Sequence, residues 1–396
     1  MTDKRVYLDN AATTRVKDDV LGEMLPYFTE QYGNASSTQY SFGRDAKKAI
    51  ERAREQVAMA IGADKAEVYF TSGGTESDNW IVKGAAFANK GKGKHIITSA
   101  IEHHAILHTC QWLEKQGFAV TYLPVDEFGM VHPEDLEAAI TDQTILVTIM
   151  FANNEIGTIQ PIETLARIAK SHGILFHTDA VQAIGAVPID AHGMGIDALS
   201  LSAHKFYGPK GVGALYLRKG VRIDVNQQGG AQERDRRGGT ENVPGIVGLG
   251  KAIDLAVSGL DAHAANLTRL RDRLIDGILE RIPDTRLNGH RTQRLPNNVN
   301  VSIRYIEGEA LLLSLDLAGI AASSGSACTS GSLDPSHVLL GIGLPHEIAH
   351  GSLRLTLGDF NTDGDVDYVL EKLPEIVERL RAMSPLMDDH LHEINA

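Results

Sequence analysis

Between residues 66 and 218, short apolar or β-branched runs alternate with stretches of helical length, and this alternation limits the fold more than any other feature of the chain. The runs are EVYF, HIITS, AVTYLPV, TILVTIMF, ILFHTDA, ALSLS and GALYLR. Between them lie segments such as TESDNWIVKGAAFAN, HHAILHTCQWLEKQG and IETLARIAKSHG, which have helical period and end near Gly or Asn. Repetition of strand and helix predicts an α/β fold with a mostly parallel sheet covered on both faces. Such sheets hold ligands at the carboxyl ends of their strands, so functional residues are expected just after these runs.

Ahead of this block, Ala46, Ala49, Ile50, Ala53, Val57, Ala60 and Ile61 share one helical face, and Gly62 is placed to end that helix. After about residue 244 the pattern changes to long helices near 245–282 and 363–382, with strand-like NNVNVSIRY and GSLRLTLG between them. A second, smaller α+β domain is expected there. The 396 residues allow two or three domains and a large core. The 38 Lys and Arg against 51 Asp and Glu leave a net charge of −13, which argues against nucleic acid or an anionic membrane as the main partner. MTDKRVYLDN has no apolar signal region, so the chain is expected in the cytoplasm. Cys110 and Cys328 alone cannot build a disulfide framework or a thiol zinc site.

Three strand ends carry chemistry. VYFTSGGTESDNW reads as strand, Gly-rich loop and helix, a ready anion site at Gly73 and Gly74; the plain alternative is a turn capped by Thr75 with Asp78 in a capping box. Asp179 follows the run ILFHT, and Lys205 follows the next run 26 residues later, beside Ser202 and His204. A phosphate cradle, a carboxylate and an amine at neighbouring strand ends suit a phosphorylated aldehyde cofactor, pyridoxal phosphate. The lysine forms the Schiff base and the carboxylate keeps the ring nitrogen protonated. A surface ion pair between Asp179 and Lys205 is disfavoured, because both charges follow runs too apolar for surface strands.

His103, His104 and His108 do not share one helical face and lack a completing thiol or carboxylate pair, so no metal is expected. An imidazole at that helix start could stack on a planar ring and move protons, or have no role. GIVGLGKA has P-loop glycine spacing but Ala252 where the hydroxyl is needed, and the loop at Asp359 has Leu370 where a calcium loop needs glutamate. Cys328 sits in AASSGSACTSGS, whose small side chains bury little area, so a mobile, nucleophilic thiol is expected. Arg354, between leucines in GSLRLTLG, is either a clamp for a substrate carboxylate or half of a structural ion pair.

YLDNAATT, TSGGTESDN, EHHA, NNEIGT, HTDAVQA, SAHKFYGPKGVGALY, RGGTEN and SSGSACTSGS resemble, in order and spacing, the cysteine desulfurases of the NifS and IscS type, over residues 6–383. The ERDRRGGTEN and SSGSACTSGSLDPSH segments look closer to NifS. The resemblance implies a fold type I pyridoxal phosphate enzyme. Its large domain, residues 15–258, would hold a mostly parallel seven-stranded sheet; a small domain, residues 1–14 with 259–396, would carry the Cys328 loop. It further implies that Lys205 holds the cofactor, Asp179 meets the ring nitrogen, Gln182 bonds the phenolic oxygen and His103 stacks on the ring and takes part in proton transfer. Gly74, Thr75, Ser202 and His204 would bind the phosphate, joined by Thr240 of the partner subunit in a homodimer. Asn34, Asn154 and Arg354 would hold the substrate carboxylate or orient substrate and ring. Cys328 would take sulfur from L-cysteine as a persulfide, leaving alanine, and pass it to an acceptor or iron–sulfur scaffold protein of the NifU or IscU kind. A selenocysteine lyase or aminotransferase on the same scaffold is the alternative. Where the family reads GNPSS and then His before SFG, this chain has GNASSTQYSFG, with Ala35 and Tyr40 in those places.

Overall fold

The computed structural model describes residues 4–324 and 335–384, and Cys328 lies outside them. A first short strand, β1 (Val6–Tyr7), precedes the central sheet. That sheet is built from β2 (Val68–Thr71), β3 (His95–Ser99), β4 (Ala119–Leu123), β5 (Thr144–Thr148), β6 (Leu175–Asp179), β7 (Ala198–Ser202) and β8 (Gly213–Leu217), in the order β2-β8-β7-β6-β5-β3-β4. Only β8 runs against its neighbours; the other pairings are parallel. The expected mostly parallel sheet is therefore present.

Apart from the edge strand β4, its strands are largely buried on both faces, which is why their sequences are rich in apolar residues. The two-residue period of a strand divides these runs between two cores. Val68, Phe70, Ile97, Val147, Leu199, Ala214 and Tyr216 pack under the helices Ser41–Ala60, Ile162–Ser171 and Val243–Ser258. Tyr69, Ile96, Leu146, Ala198 and Leu215 pack under Gly74–Asn89 and His104–Glu114. The helix Ser41–Ala60 buries Ala46, Ala49, Ile50, Ala53 and Val57 as its spacing predicts, leaves Ala60 half-exposed, and is followed by Gly62 at φ +64°.

A separate apolar cluster joins β1 to the rest of the chain: β9 (Thr285–Leu287), β10 (Asn298–Ile303), β11 (Ile320–Ala321) and β12 (Ser352–Thr356), with the helices Leu260–Arg281 and Asp363–Arg381. GIVGLGKA lies inside the helix Val243–Ser258, and Thr362 with Asp365 caps Asp363–Arg381, so neither near-motif is a nucleotide or calcium loop. Among the described residues no single helix is long and apolar enough to cross a membrane.

Strand β2 is an edge, and an edge strand must find partners for its outward amides. Glu233 supplies one: its Oε2 accepts the Phe70 N–H at 2.9 Å. The same carboxylate takes a bidentate bond from Arg54 at 2.7 and 2.8 Å, while Arg54 also donates to the Val68 carbonyl at 2.8 Å. Both side chains are buried, with 6% of Arg54 and 4% of Glu233 left exposed. Removing one partner of a buried pair strands the other charge. Glu233→Ala is expected to lower the unfolding free energy by about 3–5 kcal/mol in urea titrations, with Glu233→Gln losing less.

Candidate active site

The carboxyl ends of the parallel strands converge on one cavity of about 280 Å³. After β2 come Gly74 and Thr75; after β3, His103; after β5, Asn154; at the end of β6, Asp179 and Gln182; after β7, His204 and Lys205. Ser202, the last residue of β7, completes this rim. Arg354 enters from β12, which belongs to the second core.

Gly73 is the N-cap of the helix Gly74–Asn89 and offers no side-chain cap, so amides of the first turn stay available. Its φ of +154° lies where side chains are disfavoured, and a Cβ on Gly74 would stand 2.6 Å from Val181 Cγ2. Thr75 with Asp78 forms no capping box. The first-turn carboxylate is instead Glu76, whose Oε2 accepts the Ser72 N–H at 2.7 Å. An adjoining recess is lined by Ser72, Gly73, Thr75, His204 and Lys210, a setting of amides and a cation that suits a phosphate group.

Lys205 stands in a short turn, Ala203–Lys205, and its Nζ donates to the carbonyls of Ala11 at 2.5 Å and Ala12 at 2.8 Å. Gln182 Nε2 donates to the same Ala11 carbonyl at 3.0 Å. YLDNAATT thus forms part of the site wall. Burial pushes the Asp179 carboxyl up, opposed by the Val181 N–H on its Oδ1 at 2.9 Å and by the Lys205 charge. His103 is the N-cap of His104–Glu114, with Nδ1 accepting the Ala105 N–H at 3.1 Å. Burial first, then the Lys205 charge, lowers its imidazole to about 4. Burial likewise lowers His204 to about 4, with Lys205 and Lys210 adding to the effect. The site therefore has neutral imidazoles beside an amine and a carboxylate.

Arg354 forms the structural ion pair that its sequence allowed, and it also lines the cavity. Its Nη2 pairs with Asp9 Oδ1 at 2.9 Å and its Nη1 donates to the Asn154 carbonyl at 3.1 Å, while its buried Nε has no partner among the described residues. Asn34 and Thr240 are exposed and are not brought into the cavity of their own chain. Asn34 Oδ1 instead accepts the Ser36 N–H at 2.9 Å, and Ala35 is buried. Cys110 is fully buried, and burial pushes its thiol up to about 12, which excludes it as a nucleophile.

The aminotransferase class-V family model matches residues 6–369. A cysteine desulfurase IscS of Methanosarcina thermophila is 65% identical over 97% of this chain and 94% of its own. The chain belongs to the cysteine desulfurases among the class-V aminotransferases. A cysteine desulfurase IscS of Clostridium botulinum is 62% identical over 98% of each chain. A solved NifS-like protein superposes with a TM-score of 0.90 at 43% identity, covering 95% of this desulfurase-family chain and all of its own.

In this desulfurase-family site, reasoning from the sequence overlooked Ala11, Ala12, Met150 and Asp78 as wall residues. It also overlooked His337, whose ring lies 4.8 Å from that of His104 and whose Nε2 meets the Glu102 carbonyl at 2.9 Å. Their signals were there only as motifs or runs: Ala11 and Ala12 lie in YLDNAATT, Asp78 in TSGGTESDN, Met150 in TILVTIMF and His337 at the end of SSGSACTSGSLDPSH. Because the folded site holds His103 well below a free imidazole, its protonation opposes folding, and its contribution to stability falls as pH drops from 6.5 toward 4. In histidine-labelled protein, the His103 ring resonances are expected to keep their neutral positions down to about pH 5; a titration step near the ordinary imidazole value would contradict the burial argument.

Proposed function

We propose that this protein is a pyridoxal phosphate-dependent cysteine desulfurase that converts L-cysteine to L-alanine and carries the sulfur on Cys328. The observation that carries this reading is the single cavity shared by Lys205, Asp179, His103 and the start of the helix Gly74–Asn89. The residues fit the cofactor on structural grounds. An uncapped helix start with a glycine at its closest approach suits the phosphate, and a buried carboxylate suits a protonated ring nitrogen. When bound, pyridoxal phosphate supplies an aldehyde that captures amines and a ring that accepts an electron pair.

Gly74, Thr75, Ser202 and His204 would bind the phosphate, with Thr240 of the second copy beside them. Asp179 would hold the ring-nitrogen proton, and Gln182 and Asn154 would orient the ring's edge. His103, neutral and buried, would lie against the ring and exchange protons there, and the Lys205 amine would tether the cofactor and move the proton of the substrate Cα. Arg354 would hold the substrate carboxylate, together with Asn34. The Cys328 thiolate would form a bond to the substrate sulfur as the substrate C–S bond breaks and Cβ gains a proton. The sum is L-cysteine plus thiol giving L-alanine plus persulfide, with no external oxidant.

A homodimer is supported by the exposed Leu21, Leu25, Phe28, Tyr32 and Phe42 and by the exposed position of Thr240, away from its own cavity. The division at residues 15–258 against 1–14 with 259–396 is supported by the two large apolar clusters, which separate along it. The sulfur acceptor is a scaffold protein of iron–sulfur assembly, and the compartment is the reducing cytoplasm, where a reactive thiol persists.

The purified protein should be yellow and should change colour when L-cysteine is added. Lys205→Ala is expected to lower alanine formation by about a thousandfold or more and to abolish the borohydride-fixed adduct at that position. Cys328→Ser should still bind cofactor and cysteine yet form no persulfide; substantial alanine release by it would refute the nucleophile.

A further inference from the structure

Asp78 stands on the helix Gly74–Asn89, just past the residues that open the anion recess, and its side chain is 1% exposed. It lines the cavity with Asp179, His103 and Lys205. One Asp78 oxygen, one Asp179 oxygen and one His103 ring nitrogen lie within 4.8 Å of one another. Among the described residues its Oδ1 has no hydrogen-bond partner. His177 Nε2 is 3.8 Å from that oxygen, but the His177 ring is engaged by Thr148 Oγ1 at 2.8 Å and Ser200 Oγ at 3.0 Å. An amine in the same cavity disfavours a metal cation and favours a proton as what the two acids share.

Two carboxylates this close in a dry wall do not both ionise, and the surroundings decide which one keeps the proton. The groups facing Asp78 are Asp179 and His177 from β6, Glu102 and His103 from the loop after β3, and Ser200 from β7. Asp179 has an amide on Oδ1 and the Lys205 charge nearby. Asp78 has neither. Burial, then the charges of Asp179 and Glu102, hold its carboxyl well above the usual range, and only Ser200 opposes them. His177 brings no compensating charge, because burial lowers it to about 3.

We propose that Asp78 is a positioning residue that acts through Asp179: it keeps a proton beside Asp179 and so confines the wall's negative charge to the one carboxylate that meets the cofactor ring. This rests on the assignment of Asp179 to the ring nitrogen. An unpartnered, buried oxygen is then a hydroxyl or carbonyl oxygen of a neutral acid, a far smaller cost than a bare charge.

The test is infrared difference spectroscopy of the holoenzyme against Asp78→Asn at about pH 7, with pyridoxal phosphate affinity measured on both. The wild type should show a protonated-carboxyl C=O stretch that Asp78→Asn lacks. Asp78→Asn, neutral and of the same shape, should hold the cofactor within about threefold of wild type, whereas Asp78→Ala should weaken it further. No change in that stretch, or a loss of affinity of about tenfold in Asp78→Asn, would overturn the proposal. Should Asp78→Asn fail to fold, the wild type carrying carbon-13 at its aspartate side-chain carboxyls decides instead: the band must move to lower frequency, and an unmoved band overturns the proposal. Absence of any cofactor adduct in the wild type would refute the assigned function instead, and the band at Asp78 can then be read on cofactor-free protein.

Discussion

Both faces of the central sheet are sealed by apolar side chains, so the strands can present polar chemistry only where they end. This constraint places the groups that follow these strands, whereas Arg354 comes from β12 of the second core. The lysine, the aspartate, the histidine and the glycine turn are distant in sequence, yet each follows a strand of the same sheet and reaches the same rim. The single antiparallel strand, β8, lies between β2 and β7 and begins at this rim with Gly213. A Cβ on Gly213 would stand 2.7 Å from the Gly73 Cα, so the glycine turn can pass there only because both residues lack side chains.

Dry walls also govern the charges. Burial makes every ionised form costly, and it lowers the site's imidazoles and raises its buried carboxyls. Glu102, fully buried under the His103 turn, accepts the Ser99 hydroxyl at 2.6 Å and the Met150 N–H at 2.9 Å, yet burial still pushes it up to about 8. Its second oxygen has no partner among the described residues. On Asp179 the upward push of burial is opposed by a backbone amide and by the Lys205 charge.

The strand runs, the helix Ser41–Ala60 and the positions of Asp179 and Lys205 were legible in the sequence because each follows from a local period or from a charge placed after an apolar run. Asp78 was not. Its spacing from Thr75 imitates a capping box, but the helix starts at Gly74, which puts Glu76 at the capping position and Asp78 beyond the first turn, where it is buried. The Arg54–Glu233 pair was equally hidden, since its partners are 179 residues apart and Glu233 occupies a run of left-handed residues with φ of 45°, 60° and 62°. No local pattern encodes such a turn in Glu-Arg-Asp. Asn34 and Thr240 are informative as motifs, but a single chain leaves both outside its own cavity.

The second core matters to the site through one residue on each of two chain segments. Residues following β1 pass from that core to the rim: Ala11 N–H binds Thr356 Oγ1 at 2.9 Å, and Thr14 N–H binds the His204 carbonyl at 2.9 Å. Asp9 at the start of this crossing fixes Arg354 from one side, and the Asn154 carbonyl of the large core fixes it from the other. A guanidinium held at two of its nitrogens keeps its plane and its remaining donor without spending rotamer entropy when an anion arrives. The two cores are thereby stitched at Arg354, so a shift of β12 relative to the central sheet would move this guanidinium and the Lys205 contacts at Ala11 and Ala12 together.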